Sequence, residues 1–378
     1  MSTTVSSIPH PILHEHIARL HDLMREDDLA AVLLFHTSSM LAYTGTPHSS
    51  SDRITCGAVT RDGQVIAICP AFERPNVSGA DGIATIDTWE EHEDPYRCFA
   101  DAITKAGVTS GTVGVDGRIW LEYLHGFERA LPALKFRSAE HLLREVRLCK
   151  SPAELDAMRA AHRKGEQVFL ALRDEMLRPG IQERELAREL YTRFLPQGIF
   201  INPLIQAGPN GSVPHNPPGE RPLQADDGTI VVDSVISWQG YTNDLTRTFS
   251  LGPPSDKMKR AYHAVREAQA TAIDATKPGV PCRKLDGIAR DIITKAGFGE
   301  FFSHRLGHGI GIECHEPPYL DGGNDELLRP GMCFTFEPGV YVPGEFGIRI
   351  EDDVTVTDNG HEVIRGELPT DVTDAFDR

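Results

Sequence analysis

The segment DSVISWQGYTNDLTRT, residues 233–248, carries two aspartates on either side of a glycine that is typical of a tight turn. Gly240 and Tyr241 predict a turn between two antiparallel strands, because glycine readily adopts the backbone conformations that such turns need. A hairpin of this kind can bring Asp233 and Asp244 to one end of a sheet, with both carboxylates on the same face. Most aspartates near strand ends only cap turns, so this segment suggests a site without defining one.

Two segments nearer the C-terminus add further candidate ligands. SHRLGHGIGIECHEPP, residues 303–318, holds three histidines, and its glycines allow the backbone to come close to a ligand or a neighbouring strand. FTFEPGVYVPGEFGIRIEDD, residues 334–353, holds Glu337 within one apolar run and Glu351 at the end of another. A buried ionised glutamate needs a partner, and a salt bridge to Arg349 accounts for one of these glutamates but not for both.

Four carboxylates and one imidazole thus follow one another in the second half of the chain: Asp233, Asp244, His308, Glu337 and Glu351. If these groups converge, their mutual repulsion raises the pKa values of the carboxyl groups unless a cation neutralises them. Oxygen-rich sets with a single histidine suit paired divalent ions better than one structural zinc ion, which prefers cysteine and histidine. The pattern therefore predicts a hydrolase with two metal ions.

The composition of the chain narrows the class of protein. Its 378 residues are enough for two domains, and its formal net charge of −17 argues against nucleic acid or an anionic membrane as a partner. No stretch approaches the ~20 apolar residues of a membrane-spanning helix. The N-terminus lacks the basic and then apolar pattern of a signal peptide. Seven widely spaced cysteines without a CxxC motif predict reduced thiols and a cytoplasmic location.

The chain is predicted to divide into two domains, residues 1–149 and residues 150–378. Alternating helical and strand patterns predict an α/β N-terminal domain with a small sheet, and this domain shows no phosphate-binding loop or nucleophile motif. Ser151, followed by a proline and with Glu154 in the first turn, predicts the start of a helix that opens the second domain. Six prolines between positions 203 and 222 predict a loop without regular structure.

Taken in order, the aspartate pair and the motifs GHGIG (307–311), EPGVY (337–341) and RIED (349–352) closely resemble the M24 metallopeptidases. This family includes methionine aminopeptidase, proline aminopeptidase and prolidase. The resemblance covers residues 150–378 through these motifs and implies an α+β catalytic domain with the "pita-bread" fold. The preceding α/β domain resembles the N-terminal domain of the prolidase and proline aminopeptidase branch and of creatinase.

The resemblance also implies how the five candidate ligands hold two divalent ions, with manganese favoured and cobalt or zinc as alternatives. It implies that Asp233 and Asp244 chelate one ion, that His308 and Glu337 complete the other, and that Asp244 and Glu351 bridge the two. Glu337 is in addition the candidate general base, taking a proton from a water that the two ions share and activate.

Further residues match the branch one by one. His304 and His315 correspond to histidines that bind substrate and handle protons. His215, in VPHNPPGERP, corresponds to a segment that closes on the substrate, and Arg349 corresponds to an arginine that steadies the metal-binding carboxylates. One position departs from the family pattern, because Val235 stands where an Asp-x-Gly motif usually has glycine. This departure puts the exact substrate pocket in question, not the binding of metal.

The predicted function is that of a cytoplasmic Xaa-Pro peptidase that acts on dipeptides in preference to the N-terminal residue of longer peptides. The first alternative is a creatinase-like hydrolase or lyase of a small amide-like substrate, for which Val235, Trp238 and Gln239 leave room. The second is a non-catalytic binding protein, although such relatives have usually lost their metal ligands. The family further implies a homodimer in which Arg53 or His48 reaches the neighbouring active site, with a plain exposed loop as the alternative.

Overall fold

The computed structural model describes residues 8–47, 52–373 and 375–377. The chain separates into two compact units, Met1–Arg147 and Leu148–Arg378. In the described part of the chain, no helix is both long and apolar enough to cross a membrane. All seven cysteines are free thiols, as their number and spacing predict.

The N-terminal unit is built on a six-stranded sheet in the order β4-β3-β2-β1-β5-β6. Its strands are β1 Leu29–Leu34, β2 Cys56–Thr60, β3 Val65–Pro70, β4 Thr85–Trp89, β5 Gly111–Val115 and β6 Leu134–Ser138. Its helices are α1 His10–Glu26, α2 Thr37–Thr44, α3 Pro95–Lys105, α4 Leu121–Ala130 and α5 Glu140–Leu148, the last of which ends one residue beyond the unit. The central strands β1, β2 and β3 are buried almost throughout, which explains their continuous apolar sequences.

The C-terminal unit contains three sheets, in the orders β7-β8-β9, β11-β10-β12-β15-β16 and β13-β14. Its strands are β7 Phe200–Ala207, β8 Ile230–Trp238, β9 Tyr241–Phe249, β10 Gly307–Gly309, β11 Glu316–Leu320, β12 Cys333–Phe336, β13 Gly339–Val342, β14 Phe346–Arg349, β15 Asp352–Val356 and β16 His361–Ile364. Its helices are α6 Pro152–Ala171, α7 Glu183–Phe194, α8 Asp256–Asp274 and α9 Cys282–Lys295.

Helix α6 begins where the sequence predicts it. The Ser151 hydroxyl accepts a hydrogen bond from the Glu154 backbone, and the Glu154 carboxylate accepts one from the Ser151 backbone at 2.9 Å, which forms a capping box. The Tyr241 hydroxyl donates to the same carboxylate at 3.0 Å, so this helix start is tied to the first residue of β9. The helix continues as a π-helical turn over Leu172–Met176.

The predicted hairpin forms, but its turn lies one residue earlier than the sequence suggests. Trp238 pairs with Tyr241, which leaves Gln239 and Gly240 as a two-residue loop. Both residues have positive φ angles, 49° and 79°, as a type I′ hairpin turn requires. The prediction placed Tyr241 in the turn because it relied on the glycine alone, whereas the pairing register decides which residues remain outside the ladder.

The proline-rich segment is also more regular than predicted. Its first residues belong to β7, which contains Pro203 and, among the strands that the structure describes, pairs only with β8; a short 3₁₀ turn follows over Gly208–Ser212. Proline is compatible with an edge strand because a missing N–H is tolerated on the side without a partner strand. The expectation of a segment without regular structure was therefore wrong for its first part.

Glycines in β10 permit a close approach of neighbouring backbone, and this gives a first prediction. A Cβ at Gly309 would overlap the carbonyl oxygens of Glu316 and Pro317, whereas a Cβ at Gly287 in α9 meets no atom within 4 Å. Gly309→Ala is expected to lower the free energy of unfolding by about 3 kcal/mol, because the clash is with backbone. Gly287→Ala, the matched control, is expected to raise it by up to about 1 kcal/mol because alanine favours a helix. Chemical denaturation measures both changes, and equal stability of the two variants would contradict the expectation.

Candidate metal centre

The hairpin of β8 and β9 places both predicted aspartates on one face of its sheet. Asp233 pairs with Thr246, and Val235 pairs with Asp244. Side chains two residues apart on a strand share a face, and directly opposed residues share it too, so all four side chains point to the same side. Asp244 is only 4% exposed, whereas Asp233 and Val235 are half-buried. The aspartates are therefore diagonal neighbours, with Val235 beside them.

Glu351 joins this face from a second sheet. It forms an isolated antiparallel bridge with Thr246, at the residue just before β15. The Thr246 hydroxyl donates to Glu351 Oε2 at 2.7 Å, and the Glu351 backbone N–H donates to the Thr246 carbonyl at 3.0 Å. These two bonds fix the carboxylate of Glu351 next to the aspartates of the hairpin.

His308 and Glu337 come from the same five-stranded sheet as β15. His308 lies in β10, and Glu337 directly follows β12, where its N–H donates to the Leu306 carbonyl at 2.8 Å. His308 Nδ1 is 3.1 Å from the Gly309 carbonyl oxygen, which can only accept, so this nitrogen carries the proton. Nε2 then offers its lone pair to the site, 3.4 Å from Glu337 Oε1 and 3.8 Å from Asp244 Oδ2.

Electrostatics also favour the neutral form of His308. Burial and the nearby His315 lower the pKa of His308 to about 3. The imidazole is therefore neutral at physiological pH, which is the form that binds a metal.

The structure brings all five predicted ligands together. Their ligand atoms form two overlapping groups, each within 4.8 Å: Asp233, Asp244 and Glu351, and His308, Glu337 and Glu351. Glu351 belongs to both groups. Its bridge to Thr246 places it beside the hairpin strand that carries Asp244.

The donor set fits divalent cations. Among the described residues, Asp244 Oδ1 and Glu351 Oε1 are buried without a hydrogen-bond partner, which is costly unless a ligand satisfies them. Burial raises the pKa values of Asp244, Glu337 and Glu351 well above the usual range, and repulsion by neighbouring carboxylates raises them further. A cation removes both penalties at once.

Arg349 is the cation that the protein itself supplies to this cluster. Its guanidinium is almost fully buried and donates from Nη2 to Asp233 Oδ2 at 2.6 Å and from Nε to Thr246 Oγ1 at 3.2 Å. Nη1 donates to the Tyr341 hydroxyl at 2.8 Å and to the Pro214 carbonyl at 3.3 Å. It therefore links a candidate ligand to the loop that carries His215.

His304 belongs to a hydrogen-bonded chain that reaches the cluster. Its Nδ1 donates to the Arg305 carbonyl at 2.8 Å, so Nε2 accepts from the Tyr341 hydroxyl at 2.9 Å. Burial and the neighbouring Arg349 lower the pKa of His304 to about 4, and burial raises the pKa of Tyr341 to about 12. Both groups are thus neutral, and the chain runs from His304 through Tyr341 and Arg349 to Asp233.

His315 and His215 lie on the open side of the site. The His315 ring is exposed and its centroid is 3.9 Å from that of His308. His215 is exposed as well, and burial, nearby arginines and the proximity of His215 together lower the pKa values of His304 and His315. The three predicted substrate histidines therefore lie within electrostatic reach of one another.

Sequence reasoning missed three side chains in this site. Tyr341 and Thr246 bond to Arg349, and the Cys314 thiol donates to Asp244 Oδ2 at 3.2 Å. Each stands in or beside a quoted motif, but its role depends on pairing across strands that the sequence does not reveal. Only Cys314, next to His315, carries a residue-type signal that points to metal.

Two other expectations concern residues away from the cluster. Trp238 lies at the turn end of the hairpin, where its ring packs 4.9 Å from Lys164 Nζ, so it does not line the metal cluster. Arg53 is paired with Glu91 and Asp52 in the N-terminal unit. His48 lies outside the described residues.

Comparisons with known proteins agree with this geometry. Residues 156–358 match the model of metallopeptidase family M24, and residues 16–149 match the creatinase/prolidase N-terminal domain. An Xaa-Pro dipeptidase of Lactobacillus helveticus is 34% identical over 327 residues, covering 84% of this chain and 88% of that protein.

The chain is also similar over most of its length to solved structures of peptidases. An Xaa-Pro dipeptidase from Bacillus anthracis is 28% identical with a TM-score of 0.83, covering 95% of this chain and 99% of the other. An X-Pro aminopeptidase from Thermotoga maritima is 28% identical with a TM-score of 0.84, covering 94% and 98%.

The fold and the site thus define a metal-dependent peptidase. The chain belongs to metallopeptidase family M24, and its N-terminal domain is of the creatinase/prolidase type. The predicted family and fold class are confirmed, with an α/β N-terminal domain followed by an α+β catalytic domain.

Proposed function

We propose that this enzyme hydrolyses the peptide bond between a residue and a following proline, with dipeptides as the preferred substrates. The observation that carries the proposal is the convergence of Asp233, Asp244, His308, Glu337 and Glu351 in a chain that is similar over most of its length to Xaa-Pro dipeptidases. The similar aminopeptidase from Thermotoga maritima makes cleavage of longer Xaa-Pro peptides the competing activity.

The five side chains are proposed to hold two divalent ions, with Asp233 and Asp244 at one ion, His308 and Glu337 at the other, and Asp244 and Glu351 between them. Manganese is the favoured metal, because four of the five ligands are carboxylates, and cobalt and zinc are the alternatives. When bound, the metals would activate water and polarise the scissile carbonyl.

The side chains of the protein supply the remaining chemistry in this proposal. Glu337 takes a proton from the attacking water and delivers it to the leaving proline nitrogen, which has no hydrogen of its own. Its Oε1 lies 3.4 Å from His308 Nε2, within the group of proposed ligands, where it can reach a water held at the site. Arg349 holds Asp233 in place through the 2.6 Å bond.

The histidines are proposed to bind the substrate. His315, exposed beside His308, hydrogen-bonds the developing oxyanion or the substrate backbone. Both ring nitrogens of His304 are engaged, by the Arg305 carbonyl and the Tyr341 hydroxyl, so His304 bonds the substrate only after Tyr341 turns away from Nε2. His215 closes on the proline end from the loop that Arg349 anchors through Pro214.

Further parts of the proposal concern the whole protein. The domains are assigned to residues 1–149 and 150–378, and the protein is proposed to act in the cytoplasm as a homodimer, without nucleic acid or membrane as a partner. The net charge of −17 and the seven free thiols support this setting.

A substrate panel tests the proposal. The metal-free protein is assayed with Ala-Pro, Gly-Pro, Ala-Pro-Ala and Gly-Ala, each with and without Mn²⁺. We expect Mn²⁺-dependent cleavage of the two Xaa-Pro dipeptides, at kcat/KM values about tenfold or more above that of the tripeptide, since one recognition contact gives such discrimination. Gly-Ala is the control without proline.

Other outcomes would replace this proposal. Cleavage of Ala-Pro-Ala alone would identify an aminopeptidase. Metal binding without cleavage of any peptide would favour a small amide-like substrate, a candidate supported by Val235, whose side chain shares the sheet face of Asp233 and Asp244. Absence of both metal binding and cleavage would leave only a binding protein.

A further inference from the structure

Cys314 is a potential metal ligand that the proposed mechanism does not use. It lies between β10 and β11, is half-buried, and donates from its thiol to Asp244 Oδ2 at 3.2 Å. The next residue is His315, whose ring lies beside that of His308. Sulfur therefore faces the oxygen-rich centre on the side where the two histidine rings meet.

Four ligand atoms come together at this point. One atom each from Asp244, His308, Cys314 and His315 lies within 4.8 Å of the other three. Ligands of a tetrahedral zinc ion with bond lengths of 2.0–2.3 Å stand roughly 3.3–3.8 Å apart, so small side-chain rotations would complete the geometry. The set contains two nitrogens, one sulfur and one oxygen, and soft or borderline cations prefer such a mixture.

Two buried side chains contribute ligand atoms at this position. Asp244, which is 4% exposed, has its Oδ2 3.2 Å from Cys314 Sγ and 3.8 Å from His308 Nε2, and among the described residues its Oδ1 has no hydrogen-bond partner. His308 is 2% exposed, and the bond from Nδ1 to Gly309 leaves the lone pair of Nε2 directed toward Asp244. A cation at this position would replace the thiol proton as the partner of Asp244.

We propose that Asp244, His308, Cys314 and His315 form an alternative site for a thiophilic divalent cation such as Zn²⁺ or Cd²⁺. The site shares Asp244 and His308 with the proposed oxygen-rich centre, so the two ways of binding exclude each other at His308. A thiophilic ion bound by four protein ligands lacks the open position that catalysis needs, and it also removes His315 from the substrate. A Zn²⁺ or Cd²⁺ ion held at this alternative site therefore inhibits the enzyme, whereas ions held by the oxygen-rich centre support catalysis.

The inference rests on the ligands assigned under the proposed function, but not on the peptide substrate. Mn²⁺ binding to the metal-free protein, measured by titration calorimetry, tests the oxygen-rich centre, and cleavage of Ala-Pro tests the substrate. The cobalt absorption experiment on Cys314 uses neither readout, so its failure can be distinguished from the failure of either.

The test is the absorption of the cobalt-loaded protein. Co²⁺ is added to the metal-free full-length enzyme, and the near-ultraviolet charge-transfer band from thiolate to cobalt is recorded. We expect this band in the wild type and in Cys98→Ser, a control thiol of similar exposure in the N-terminal unit. We expect no band in Cys314→Ser or Cys314→Val. Serine keeps a donor to Asp244, so a loss shared by both variants reports the sulfur and not a change in folding.

A competition titration gives the second readout. Cd²⁺ affinity should fall by about 10–100-fold in both Cys314 variants, the loss expected when metal coordination is disturbed. Mn²⁺ affinity should change far less, because Mn²⁺ prefers oxygen ligands. A charge-transfer band that persists in the Cys314 variants, or equal losses of Cd²⁺ and Mn²⁺ affinity, would overturn the proposal.

Discussion

Replacement of Glu337 with glutamine is expected to lower kcat/KM for Ala-Pro by about 10³-fold or more at saturating Mn²⁺. An amide cannot accept the proton of the attacking water, and general base catalysis alone contributes about 10²–10⁴-fold. The substitution also removes one negative ligand from the group that includes His308 and Glu351. Steady-state kinetics of dipeptide cleavage measures the effect, with Mn²⁺ varied to separate weaker metal binding from slower turnover.

The matched control for this prediction is Glu345→Gln. Glu345 lies in the turn between β13 and β14, where its exposed carboxylate accepts hydrogen bonds from Lys257. This variant should retain wild-type kcat/KM. In the metal-free protein, Glu337→Gln should not reduce the free energy of unfolding, because burial and Glu351 already raise the pKa of that carboxyl. An enzyme that keeps more than a tenth of its activity after Glu337→Gln would show that another group is the base.

Replacement of Arg349 with methionine is expected to lower the free energy of unfolding of the metal-free protein by about 3–5 kcal/mol. Removal of one partner from a buried ion pair leaves the other charge without compensation, and Asp233 is that partner. The substitution also removes donors to Thr246, Tyr341 and Pro214. Chemical denaturation with and without Mn²⁺ measures the loss, which should shrink when a metal neutralises Asp233.

Arg178→Met provides the control for Arg349→Met. Arg178 pairs with Glu189 at an exposed position, where an ion pair contributes about 0–1 kcal/mol. The double variant Asp233→Asn with Arg349→Met should recover part of the stability that the single variant loses, since the unpaired charge is gone. A loss below about 1 kcal/mol for Arg349→Met alone would mean that Asp233 finds another partner.

The five candidate ligands could be selected from the sequence because each stands in a short motif and the order of the motifs resembles a known family, and the structure brings their ligand atoms together. The turn glycine placed the hairpin within one residue, and the capping box fixed the start of α6. The contacts of Tyr341 and Thr246 could not be predicted, because they depend on which strands of different sheets come together. His304 was expected at the substrate, but its hydrogen bonds to Arg305 and Tyr341 appear only in three dimensions.

The proline-rich segment is a second case in which a structural feature could not be predicted from the sequence. Composition alone suggested a loop, yet β7 accommodates Pro203 because the strand lies at the edge of its sheet. Whether a strand is central or at an edge is a property of the assembled sheet. Short sequence motifs therefore identify the candidate ligands of this centre more readily than the hydrogen bonds that orient them.

The bridge between Thr246 and Glu351 has a consequence for how the enzyme matures. It joins the hairpin of β8 and β9 to a residue that follows 105 positions after Thr246. The ribosome must therefore release the chain as far as Glu351 before the ligands can meet, and long-range pairing of this kind forms slowly. A nascent chain that ends before Glu351 lacks a complete centre, so the metal-binding site can form only after this residue has been synthesised.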